Sequence, residues 1–188
     1  MKNLAEYDGS ERLASVTEPA NGDLLNLAYN GVGELARTEL TRPDACTNAV
    51  FTLAIDDFVF TPDGHALHVR TANTAAVSVD YLWLDDLPVA QFQDSYDAQG
   101  VYIGTEATYL HSDHLGTPRI GTNASKQITW RNRSDAFGIA ELSGSAVVRL
   151  RFPGQLSLGV AGLNYNYYRD YDPKVGRYLE SDPIGLDG

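Results

Sequence analysis

Along most of the chain, apolar and polar residues change places at every second position. Phe51, Leu53 and Ile55 form one such set, Val77, Val79, Tyr81 and Trp83 a second, and Ala146, Val148, Leu150 and Phe152 a third. A period of two puts each set on one face of a strand, because successive side chains of an extended backbone point to opposite sides. No comparable stretch places apolar residues at i, i+3, i+4 and i+7 between capping residues, so the pattern predicts strands with very little helix. Asp56-Asp57 and Asp85-Asp86 are expected at strand ends, as charges that discourage pairing between sheet edges.

The breaks between strands are also patterned. Tyr7-Asp8-Gly9, followed by Arg12-Leu13, is echoed 22 residues later by Tyr29-Asn30-Gly31. Looser echoes are Phe60-Thr61-Pro62-Asp63-Gly64, Tyr96-Asp97-Ala98-Gln99-Gly100 and Tyr171-Asp172-Pro173. In each, an aromatic residue at a strand end leads into turn residues and a returning strand. Within the last of these, Pro173 presets φ for a turn, Gly176 supplies a position without Cβ, and Arg177-Tyr178-Leu179 reads as the returning strand. A second tight turn is expected at Asp182 to Gly185, and loops at Arg42 to Asn48 and Leu142 to Ala146. The fold class predicted is all-β, with irregular β-hairpin repeats forming a curved open sheet.

Composition narrows the function. The 188 residues, 43% hydrophobic and 21% charged, suffice for one domain with a sizeable core. A formal net charge of −11 repels phosphate backbones and leaves no basic stripe, which argues against nucleic acid as a partner. Cys46 is alone, so neither an intrachain disulfide nor a Cys-rich metal site is expected. No apolar leader and no stretch of membrane-spanning length is present, so export would need a route without a cleavable signal.

Most candidate chemistry weakens on inspection. His65 with His68, and His111 with Asp113 and His114, suggest metal ligands, but strand residues three apart point to opposite faces. No metal and no other cofactor is expected. The glycines fit no phosphate loop, and there is no Gly-x-Ser-x-Gly elbow. Tyr165, Tyr167, Tyr168 and Tyr171 fit either cross-strand packing or a sugar-binding face.

Four blocks carry a stronger signal: Tyr109 to Arg119 (YLHSDHLGTPR), Trp130 to Gly138 (WRNRSDAFG), Arg151 to Gln155 (RFPGQ) and Tyr165 to Leu186 (YNYYRDYDPKVGRYLESDPIGL). In order and spacing they closely resemble the core module of the Rhs (YD-repeat) proteins. The resemblance implies a repeat-like strand segment over residues 1–100 and a core module over 101–188. It implies a structural, shell-closing part of a bacterial toxin-delivery protein, whose ribbon of hairpins winds into a hollow shell. The implied partners are other shell segments or a C-terminal toxin, with self-association of the chain by itself. The implied location is bacterial, cytoplasmic at synthesis, with export or surface display by a signal-independent route.

The same resemblance implies self-cleavage by aspartyl-protease-like chemistry, in which two carboxylates share a proton. The matching positions are Asp182, in Asp-Pro-Ile-Gly-Leu, and Arg169, which would orient Asp182 and favour its charged form. The family's second Asp-Pro-x-Gly-Leu block supplies the other carboxylate and the scissile bond after its Leu, and the 188 residues do not contain it. By itself the chain is therefore expected to be inactive, carrying half a site. Two alternatives remain: a carbohydrate or cell-surface binding module using its tyrosines, and a working autoprotease that recruits Asp170 or Asp172.

Overall fold

The structure is a computed structural model that describes residues 4–44, 46–47, 49–72 and 76–181. These residues form sixteen strands and no helix. Twelve strands make one sheet: β1 (Leu4–Tyr7), β2 (Leu13–Thr17), β3 (Leu24–Tyr29), β4 (Leu35–Pro43), β5 (Val50–Phe60), β6 (Ala66–Ala72), β7 (Val77–Leu84), β8 (Leu87–Tyr96), β9 (Tyr102–Ser112), β10 (Pro118–Thr122), β11 (Ile128–Ser134) and β12 (Ala140–Gly144). They pair antiparallel in strict chain order, and β1 does not meet β12, so the sheet is open. Four short strands form a second antiparallel sheet: β13 (Leu156–Ser157), β14 (Asn164–Asn166), β15 (Arg169–Asp172) and β16 (Arg177–Tyr178).

The hairpins repeat one piece of local chemistry. In six connections among the described residues, the side-chain oxygen of an Asp or Asn accepts the backbone N–H groups two and four residues on, at 2.8–3.1 Å. These caps are Asp8, Asn30, Asp97, Asp113, Asn123 and Asp135. The residue three after each cap takes φ between 61° and 90°, and it is Gly33, Gly100, Gly116 and Gly138 in four turns but Glu11 and Lys126 in two. This is the hairpin built on a tight turn plus one left-handed residue, which also shifts the strand register by one beside the aromatic residue. The aromatic-Asp repeat of the sequence is thus a turn that closes itself.

One face of the large sheet is covered by residues 146–181, and the core lies between. Leu13, Val16, Leu25, Leu27, Leu35, Phe58, Val69 and Trp130 from the sheet pack with Val148, Leu150, Leu156, Leu158, Leu163 and Tyr165. Tyr165 is fully buried, and its hydroxyl accepts the Leu35 N–H at 2.8 Å. Aromatic rings of the covering segment lie against hairpin glycines: Tyr167 against Gly64, Tyr168 against Gly33 and Phe152 against Gly138.

Three sequence expectations change. The alternation from Ala146 to Phe152 belongs to an extended strap with a single bridge, Leu150 to Leu156, and not to a sheet strand. Three of its carbonyls accept from side chains, Gln91 Nε2 donating to Val147 O and Arg151 Nη1 to Val148 O and Leu150 O, while Arg149 O and Phe152 O accept the backbone N–H groups of Ser157 and Gln155. Asp56 and Asp57 lie inside β5 rather than at its end, with Asp56 buried and held by Thr71 Oγ1 and Arg149 Nη1 at 2.6 and 2.8 Å. Two expected loop stretches are partly strand: Arg42 and Pro43 close β4, where Arg42 pairs with Asp23 at 2.7 Å, and Leu142 to Gly144 close β12. Asp85 and Asp86 do form the turn between β7 and β8. The large sheet continues across residue 100, and the change of sheet falls between Gly144 and Leu156.

Candidate functional site

The hairpin of β15 and β16 carries the sequence-predicted residues. Its turn is set by Asp172, whose Oδ1 accepts the Lys174 N–H at 2.8 Å, and by Gly176 at φ 68°. Phe137, from the turn between β11 and β12, lies so close to Gly176 that a Cβ there would meet its ring at 2.8 Å. Across the hairpin Tyr171 and Tyr178 meet edge to face at 5.5 Å, and the Arg169 guanidinium lies 4.0 Å over the Tyr178 ring. Asp182 and the turn expected at 182–185 lie outside the described residues.

At the base of this hairpin Asp170, which the sequence offered as a replacement carboxylate, is paired with Glu180, which the sequence did not single out. Asp170 is 1% exposed, and its backbone N–H donates to Glu180 Oε2 at 2.8 Å. Burial, then the adjacent Glu180, holds the Asp170 carboxyl well above the usual carboxylate range; Glu180 is also raised, chiefly by burial. Burial and a neighbouring carboxyl both favour the protonated form of Asp170. Above them lie Tyr29, whose hydroxyl donates to Leu13 O at 2.8 Å, and Tyr7, whose hydroxyl donates to Leu179 O at 3.4 Å. Burial, reinforced by the carboxyl pair, pushes the hydroxyl pKa of both tyrosines up. Such a pair can donate a proton from one oxygen while the other accepts. Only the pairing of β15 with the chain after β16 brings Glu180 to Asp170, and no local spacing announces it.

The remaining candidates serve packing. His68 Nδ1 bonds Asp80 at 2.7 Å across two strands, His65 stacks on Trp83 at 4.4 Å, and His111 Nε2 bonds Thr122 Oγ1 at 3.0 Å. Among the described residues, no three His, Cys, Asp or Glu side chains are placed to hold a metal. Of the four tyrosines, Tyr165 is core and Tyr171 packs on Tyr178. Tyr167 and Tyr168 bond each other, and Tyr167 reaches Pro62 O at 3.1 Å. No helix among the described residues is long and apolar enough to cross a membrane.

Comparison with known proteins places these features. No family model matches the chain. Over 97% of its length it is 26% identical to the Double-stranded DNA deaminase toxin A of Burkholderia cenocepacia, of which it spans 14%. Over 91 residues, 44% of this chain and 6% of the relative, it is 38% identical to the Probable deoxyribonuclease RhsA of Dickeya dadantii. The crystal structure of TcdB2-TccC3 matches 99% of the chain at a TM-score of 0.73 and 19% identity, with the chain spanning 9% of that one. At that identity the likeness is one of fold. Repeated hairpin chemistry and an open meander agree with the fold of TcdB2-TccC3, and the sequence relatives carry the names of bacterial toxin and Rhs proteins, so the chain is similar to segments of the Rhs (YD-repeat) proteins.

Proposed function

We propose that this segment closes part of a β-shell around a toxin, and that the β15–β16 hairpin with the residues after it forms part of an aspartyl-type self-cleavage site. One observation carries the first half: residues 146–181 fold back over one face of a sheet that stays open at β1 and β12. A sheet covered on one face and unpaired at its edges suits a wall element that other shell segments extend. The second half rests on Asp170, a buried carboxyl beside Glu180 whose pKa is pushed up by burial and by that neighbour. In this reading Asp170 protonates the developing oxyanion, Asp182 in its ionised form activates water, and Arg169 keeps Asp182 charged.

The test joins the chain to a downstream Rhs-type segment bearing an Asp-Pro-x-Gly-Leu block and follows intact mass. Cleavage after that block's Leu is expected, lost in Asp182→Asn and Asp170→Asn and slowed in Arg169→Ala. Without the added block the mass should not change. Cleavage at the parent rate in both Asn variants would overturn the assignment.

A further inference from the structure

Arg169, whose charge the proposed cleavage uses, is held on one face of the second sheet. Antiparallel pairing sets Asn166 of β14 opposite Arg169, and Tyr171 of β15 opposite Tyr178 of β16. Residues two apart on a strand share a face, so Arg169 and Tyr171 lie side by side among these partners. The guanidinium carbon stands 4.0 Å from the centre of the Tyr178 ring, closer than Arg12 over Tyr29 at 4.6 Å or Arg149 over Phe58 at 5.4 Å. The ring is fixed in turn. Asn166 Nδ2 donates to the Tyr178 hydroxyl at 2.5 Å, and the Tyr171 ring meets it edge to face at 5.5 Å. Tyr171 is anchored outside the sheet, its hydroxyl donating to Phe137 O at 2.9 Å.

A carboxylate and a ring hold a guanidinium differently. A carboxylate takes its in-plane N–H groups and offsets its charge, as Asp8 does for Arg12 through Nε and Nη2 at 2.9 and 2.7 Å. An aromatic face meets the flat side of the cation, so it fixes the position of the group without consuming its in-plane donors or neutralising it. Given the role proposed for Arg169 and Asp182, on which this rests, we propose that Tyr178 is a positioning residue for self-cleavage, its ring seating the guanidinium whose charge serves Asp182. Asn166 and Tyr171 hold the seat. The hairpin thereby fixes a cation with a neutral surface, four residues ahead of the carboxylate that cation serves.

Two readouts test the seat and its effect. In the 188-residue chain, the Tyr178 ring current should move the Arg169 side-chain protons upfield in the NMR spectrum. Tyr178→Leu should return them to ordinary positions, whereas Tyr178→Phe, which keeps the ring, should retain the shift. In the chain joined to the downstream Asp-Pro-x-Gly-Leu segment, Tyr178→Leu should cleave about tenfold more slowly than the parent, and Tyr178→Phe should recover most of that loss. Tyr178→Met, an unbranched filler, replaces the leucine variant if that one misfolds. In an Arg169→Ala background the Tyr178 change should slow cleavage no further, because a seat acts only through the group it holds. Damage to the hairpin alone would slow both backgrounds by the same factor. Such equal slowing, parent-like proton positions in Tyr178→Leu, or cleavage of that variant at the parent rate would overturn the role of Tyr178 while Arg169→Ala and Asp182→Asn stay impaired. If the joined parent does not cleave, or those two variants cleave as it does, the assignment of Arg169 and Asp182 fails and the role of Tyr178 falls with it.

Discussion

Gly138 shows how a single position can serve both a turn and the core. It sits at φ 90°, and a Cβ there would meet the Phe152 ring at 2.8 Å. Gly138→Val adds left-handed strain to overpacking, and a loss of about 3 kcal/mol is expected, read from chemical denaturation. At Glu11 and Lys126 the same left-handed position carries a side chain with φ of 61° and 62°. Replacing either by Gly should raise stability by about 0.5 kcal/mol, since released strain outweighs the added unfolded-state entropy. The turn role of such glycines was legible in the aromatic-Asp-Gly pattern. Their role as seats for Phe152, Tyr167 and Phe137 was not, because those contacts join residues far apart in sequence. Asp170 gives a pH signature of its own. A carboxyl raised in the folded state stabilises fully below its unfolded pKa, near 3.8, and that contribution is lost as pH rises toward the folded value. Asp170→Asn should therefore gain stability relative to the parent as pH climbs from 4 to 7, with the margin vanishing at the acid end. A margin that does not change with pH would mean Asp170 carries no retained proton.

Among the elements, the strap and the second sheet hold the molecule to its covered face. Tyr165→Phe keeps the ring but removes the acceptor for the Leu35 N–H, at the far end of the chain from β14. It should cost about 1–3 kcal/mol, the usual penalty for a buried donor left without a partner. Arg149→Met should cost about 3–5 kcal/mol by leaving Asp56 buried without its cation, whereas replacing both together should cost less. Denaturant midpoints of the two single variants and the double variant measure this directly. Strand periodicity made β5 and β7 legible, yet it misread the strap. Alternation reports an extended backbone with one dry face, and the strap meets that condition without a strand partner. It also could not show that Asp56 faces the core, since the charge is legible only as a surface residue until Arg149, 93 positions away, neutralises it.

For the whole molecule, the meander of twelve strands leaves β1 hydrogen-bonded to β2 alone among the described residues. An edge of this kind is a template for another strand, and in the proposed shell the preceding hairpin occupies it. The family resemblance pointed to this architecture from four sequence blocks. The fold-back of residues 146–181 over one face was legible only as an all-β core, because nothing in a period of two states which sheet covers which. The account's central claim is that the segment is a wall element completed by its neighbours. Amide hydrogen exchange tests it most directly, comparing the 188-residue chain with the same chain extended by Rhs-type repeats ahead of Leu4. The N–H groups of β1 that face away from β2 should exchange rapidly in the shorter chain and become protected in the extended one, with β5 and β6 unchanged. Equal and rapid exchange of β1 in both would contradict the account.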